Sequence, residues 1–132
     1  MQILIAAELA SYRIGSGQYI FLMAIAGRQG ITQKELSEDL LIDKTTTAKA
    51  IAKLEAEGYV RREADPEDNR FQLLFLTEAG RDVVPKVQEG LNRVKNKARQ
   101  GIDDDNYALL LELLKQVLRN VSDHAKGAGV AP

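Results

Sequence analysis

The sequence predicts a mainly α fold with a small β wing: a winged helix-turn-helix plus terminal dimerisation helices. Three observations carry this reading. Two short helical patterns meet at a tight turn, Ile42-Asp43. Two strand-like runs, 59–63 and 71–76, enclose a polar stretch that holds Asp65-Pro66 and Asp68-Asn69-Arg70. Helical patterns with aliphatic stripes occupy both ends of the chain. The boundaries that follow are 16–80 for the winged lobe, 1–15 and 81–124 for the helical dimerisation region, and 125–132 for a flexible tail.

Each element has its own signal. Residues 3–13 have the pattern of a short amphipathic helix, broken by Ile14-Gly15-Ser16-Gly17. Ser16 is a good N-cap for a second helix ending near Arg28, with Tyr19, Leu22, Met23 and Ile25 available to the core. Thr32 and Glu35 fit a capping box, in which the hydroxyl accepts from a free helix N–H and the carboxylate reaches back. Leu36, Leu40 and Leu41 supply the buried side of that helix. Asp43 caps the next helix, which runs to Glu57 before Gly58, a residue suited to a left-handed helix end. Ala48, Ile51 and Leu54 form its inward side at helical spacing.

Beyond the wing, Thr77 caps a long helix from Glu78 to Gln100, with Val83, Val84, Val87, Leu91 and Val94 along one side. Pro85 lies inside it and removes one backbone donor, which predicts a local bend. Gly101 ends this helix and Asp103 caps the last one, whose first-turn acids suit the positive end of its dipole. Leu110, Leu113, Leu114, Val117, Leu118 and Val121 make a wide apolar stripe. So broad an arc exceeds what one small lobe can cover, so a partner surface is expected, with a homodimer favoured because two-fold assemblies dominate.

Composition bounds the function. The chain of 132 residues is 45% hydrophobic and 28% charged, enough for a real core. Without cysteine there is no disulfide, no thiol redox switch and no cysteine-ligated metal. No apolar run reaches membrane-spanning length, and no basic region precedes an apolar one at the start. No membrane partner is expected, and the expected location is cytoplasmic. The net charge of −1 argues against a nonspecific polycationic binder. It does not argue against sequence-specific binding of double-stranded DNA, where local charge decides. From Lys44 to Lys53 there are three lysines and no acid, and Arg61, Arg62 and Arg70 follow.

Thr45, Lys49 and Lys53 lie four apart and share a helix face, with Thr46 beside them. Threonine hydroxyls at the start of such a helix can meet phosphates or base edges, and lysines can neutralise phosphates or donate to guanine. Taken singly, surface lysines are ordinary. Joined to a wing they define a reading face. Arg70 at the wing can enter a minor groove, where negative potential attracts a guanidinium, and Asp68 can orient it. Other features carry no chemistry. Asp103-Asp104-Asp105 read as helix capping rather than a metal site. Thr45-Thr46-Thr47 has no general base nearby in sequence, His124 is the lone histidine near the chain end, and the glycines form no phosphate cradle. No enzyme activity, cofactor or metal is expected.

The chain resembles the MarR family of bacterial and archaeal transcription regulators. The pieces that carry the resemblance are ITQKELSEDLLIDKTTTAKAIAKLEAEGYVRR, then DPEDNR, then the strand ending in LTEAG. The resemblance implies a dimer whose terminal helices interlock and a winged helix that reads a pseudo-palindromic operator. It also implies release by a small phenolic or anionic effector bound between the dimer and DNA-binding lobes. By position, Thr45, Thr46, Lys49 and Lys53 match the contacting part of the recognition helix, and Asp68 and Arg70 match the wing's Asp-x-Arg. Tyr12, Arg13 and Tyr19 are candidate pocket residues near the junction of the lobes. Three departures stand out. Asn69 replaces a first wing arginine, Thr47 replaces a common aliphatic residue, and the start is shorter than the family's first dimer helix. The expected function is a homodimeric repressor released by a small ligand. The alternative is a winged-helix module for protein–protein contact without DNA binding.

Overall fold

The computed structural model describes the backbone of residues 1–127 and the side chains through His124. The tail expected at 125–132 lies, from 128 on, outside the described residues. The chain divides into two compact units, Met1–Lys95 and the residues from Asn96 on. In order, the elements are α1 Gln2–Leu9, α2 Tyr19–Gly27, β1 Ile31–Thr32, α3 Gln33–Leu40, α4 Lys44–Ala56, β2 Val60–Ala64, β3 Gln72–Leu76, α5 Glu78–Ala98 and α6 Asp104–Gly127.

The core of the first unit is aliphatic with one aromatic anchor. Phe21, Leu22 and Ile25 from α2 meet Leu36 from α3, Ile51 and Leu54 from α4, Leu74 from β3 and Val87 from α5, all essentially inaccessible to water. Each such side chain contributes about 1.5–3 kcal/mol by leaving water, so this cluster dominates the lobe's stability. β2 and β3 form an antiparallel hairpin in the register Val60↔Leu76 and Arg62↔Leu74. β1 pairs on the other side of β3, giving the order β1-β3-β2.

Local chemistry sets most helix ends. Glu35 N donates to the Thr32 hydroxyl at 3.1 Å, and Thr32 N donates to the Glu35 carboxylate at 3.1 Å, so the capping box forms. Gly58 takes φ +83 just past α4, the left-handed turn expected there. Gly80 N donates to the Thr77 hydroxyl at 3.0 Å, which caps α5. α5 continues through Pro85. In the second unit, Asp103 accepts from Asn106 N at 2.8 Å at the start of α6, and the Arg99 guanidinium lies 4.0 Å over the Tyr107 ring.

Three local expectations are corrected, and one element is added. Ser16 does not cap α2. Gln18 is the N-cap, and its side-chain oxygen accepts from Gly15 N at 2.9 Å, which uses 15–18 as a turn and delays the helix. The first helix ends at Leu9 and tightens into one turn, Ala10–Tyr12, that stops at Arg13 with φ 59. Leu41 is 92% exposed rather than buried. It ends α3 at φ 55, and that left-handed backbone throws its side chain into water. β1 is an element with no sequence signal, because two residues show no alternation.

One close approach ties the hairpin to α5. Thr77 N donates to the Tyr59 carbonyl at 3.0 Å, and the Thr77 hydroxyl donates to the Gly58 carbonyl at 2.6 Å. A Cβ on Gly80 would overlap that Tyr59 carbonyl oxygen. A helical Gly→Ala exchange in open space stabilises by about 0.5–1 kcal/mol. At this site the sign should reverse: Gly80→Ala is expected to cost about 1–3 kcal/mol, read as a lower urea midpoint. An unchanged or higher midpoint would show that the crossing is looser than described.

Candidate nucleic-acid interface

α4 presents two chemically distinct sides. Thr47, Ala50, Ile51 and Leu54 are buried. Thr45, Thr46, Lys49 and Lys53 are exposed, as is Lys44. Thr47 is fully buried and donates its hydroxyl to the Asp43 carbonyl at 2.9 Å, so its polar atom is satisfied.

The N-terminus of α4 is closed by Asp43. One carboxylate oxygen accepts from Thr46 N at 2.7 Å and the other from the Thr46 hydroxyl at 2.8 Å. The Thr46 hydroxyl proton is therefore committed to Asp43. Thr45 carries no such bond among the described residues, so of the two it is the available hydroxyl donor. These bonds, the backbone one first, hold the Asp43 carboxyl below the usual range and keep it charged.

The wing is ordered by its own side chains. Asp65 N donates to the Phe71 carbonyl at 3.0 Å, closing the loop, and Phe71 N donates to the Asp68 carbonyl at 3.0 Å. Arg70 grips Asp68 with Nε at 2.9 Å and Nη2 at 2.7 Å. Its side chain is nevertheless 81% exposed. The side-chain bonds from Arg70, and then the bond from its backbone N–H, lower the Asp68 carboxyl, while Asp68 raises the guanidinium. Asp68 thus orients a guanidinium that still faces solvent.

Sequence reading missed a polar joint between these parts. Arg62 on β2 donates through Nε to Glu55 of α4 at 2.8 Å and through Nη1 to the Gln33 side-chain oxygen at 3.1 Å. The partners lie 7 and 29 residues away in the chain, so no spacing rule links them.

The candidate pocket residues take different surroundings. Arg13 lines an open cavity of about 360 Å³ together with Ala6, Ala10, Ile14, Lys53 and Glu57. Tyr12 and Tyr19 are not among its walls. Tyr12 instead lends its carbonyl to the Tyr59 hydroxyl at 2.7 Å, and Tyr19 packs against the core. Among the described residues, no helix is long and apolar enough to cross a membrane.

Two helices joined by a tight turn, with a three-stranded sheet and its wing, define a winged helix-turn-helix protein. The MarR family profile matches residues 14–70. A Bacillus subtilis (strain 168) HTH-type transcriptional regulator, YybA, is 32% identical over 86% of this chain and 76% of its own length. The crystal structure of a MarR transcriptional regulator from Methanosarcina mazei Go1 aligns with TM-score 0.86 at 38% identity, covering 92% of this chain and 88% of that one. A Listeria monocytogenes MarR family regulator, solved with a 26mer DNA, aligns with TM-score 0.83 at 28% identity over 99% of this chain and 89% of that one. The chain belongs to the MarR family of transcriptional regulators.

The caps give the lobe a defined acid response. The Glu35 carboxyl is also lowered, by the Thr32 N–H first and the Thr32 hydroxyl second. A carboxyl lowered by folding stabilises above its unfolded pKa, and that stability is lost as pH falls through its folded pKa. Stability should therefore hold at neutral pH and fall on the acid side of the carboxylate range. Asp43→Asn with Glu35→Gln keeps neutral caps and should flatten that acid limb in urea midpoints taken against pH. An identical limb in the double variant would assign the acid response to other groups.

Proposed function

We propose that the chain is a repressor that binds a pseudo-palindromic operator as a homodimer and is released by a small phenolic or anionic ligand. The observation that carries this is the outward row Thr45, Lys49 and Lys53 on a helix whose opposite side is buried, beside a wing guanidinium held by Asp68. In this reading Thr45, Thr46, Lys49 and Lys53 meet a major groove. Arg70, oriented by Asp68, enters the neighbouring minor groove.

The homodimer reading rests on α6. Leu110, Leu113, Leu114, Val117, Leu118 and Val121 are exposed at between 42% and 68% along one stripe. A second copy covering that stripe would set two reading helices one DNA turn apart. The DNA complex of the Listeria relative supports the nucleic-acid partner. For release, the cavity beside Arg13 and Lys53 offers two cations to an anionic ligand, with Glu57 disfavouring a doubly charged one. The coupling can be no larger than the ligand's differential affinity for the DNA-competent arrangement.

Selection from a random DNA pool should return a symmetric motif. Recovery of no motif would favour the protein–protein module instead. On the selected operator, Lys49→Ala with Lys53→Ala should weaken binding and lower the salt slope by about 1 for each lost phosphate contact. An unchanged slope and affinity would move the reading face elsewhere. Leu114→Glu with Leu118→Glu should give a monomer by sedimentation and a large loss of operator affinity. A stable dimer in that variant would refute α6 as the interface.

A further inference from the structure

A cationic slot opens between α3 and the wing. Its volume is about 350 Å³, and its walls include Gln33, Lys34, Arg62, Asn69, Arg70 and Gln72, with no acidic side chain among the lining residues. Two of its three cations are already engaged: Arg62 by Glu55 and Arg70 by Asp68. Gln33 is the first residue of α3 and is half-buried.

A guanidinium has donors only, so the Gln33 atom that meets Arg62 Nη1 must be the amide oxygen. That bond fixes the amide's orientation. It turns the two N–H donors away from Arg62, and they meet no protein acceptor among the described residues. Arg62 cannot swing away without leaving the half-buried Glu55 carboxylate, which it holds at 2.8 Å. The result is a pre-oriented neutral donor in a slot lined by Lys34 and by two guanidinium groups that each hold a carboxylate, beside the wing that bears Arg70. A solvated tetrahedral oxyanion fits this donor set. A cation does not, because no acidic side chain lines the slot.

We propose that Gln33 donates to a DNA backbone phosphate from this slot and that Arg62 is the positioning residue that aims its amide. This deepens the DNA-binding reading above and rests on it. Phosphate contacts fix register without reading sequence. Gln33 therefore serves affinity and placement between wing and reading helix rather than base choice.

The variants are measured against the selected operator and a scrambled duplex. Gln33→Ala should weaken both by about fivefold, the net scale of one hydrogen bond. Gln33→Glu keeps the acceptor for Arg62, and strengthens it by charge, but replaces the outward donors with an anion. It should leave the melting temperature unchanged or higher and weaken both duplexes by about thirtyfold or more, through like-charge repulsion with phosphate. In an Arg62→Lys background, which lacks the fork that holds the amide, Gln33→Ala should cost under about twofold. A merely structural glutamine would behave oppositely, with folded Gln33→Ala binding both duplexes as wild type. That result, with the wild type still selecting a symmetric motif, would overturn this role alone. A full fivefold loss in the Lys background would remove Arg62 as the positioning residue. Failure of the wild type to select any DNA would instead overturn the reading on which the slot depends.

Discussion

The burial of one side of α4 governs where every other residue of that helix points. Ile51 and Leu54 are sealed in the core with Ala50, and Thr47 joins them because its hydroxyl is satisfied by the Asp43 carbonyl. Rolling the helix to hide its lysines would expose two large aliphatic side chains at about 1.5–3 kcal/mol each. Exposed lysines gain less than about 1 kcal/mol from surface pairing. The hydrophobic contribution wins, and at 3.6 residues per turn it forces Thr45, Lys49 and Lys53 outward. The polar row is a consequence of packing on the opposite side.

Around that helix, a few polar joints hold the smaller parts in place. Tyr59 is the busiest. Its carbonyl receives Thr77 N, its ring hydroxyl reaches the Tyr12 carbonyl, and Gly80 lets α5 pass against it. Burial pushes the Tyr59 hydroxyl up, so it remains a protonated donor at neutral pH. The Arg62 joint connects α3, α4 and β2. The Asp68–Arg70 pair differs in kind. It is solvent-screened and adds little to stability, but its two-point grip limits the directions in which the guanidinium points.

The two units solve different physical problems. The first encloses its own aliphatic core. In the second, the stripe on α6 remains open to solvent, and its apolar arc is wider than a solvated helix needs. Membership of the MarR family supplies the class of the protein. The outward row, the wing and the open stripe are the features from which the operator, homodimer and effector readings are built. At the wing tip Asn69 is uncharged, and Arg70 beside it carries the guanidinium.

The sequence alone determined what depends on residues within four positions of one another. The Thr32–Glu35 box, the caps at Asp43, Thr77 and Asp103, the left-handed turn at Gly58 and the Thr45–Lys49–Lys53 row are all of this kind. Backbone donors at a helix start, and the 3.6-residue period, act locally and are written locally. Where two local solutions competed, the sequence did not choose: Gln18 displaced Ser16 because its longer side chain could close the turn back onto Gly15. Tertiary structure alone decided β1, which exists only through its pairing with β3. It also brought Gln33 to Arg62 and placed Lys53 on the wall of the same cavity as Arg13. Those partners meet because the core brings distant helices and strands together, and no spacing along the chain encodes such a meeting.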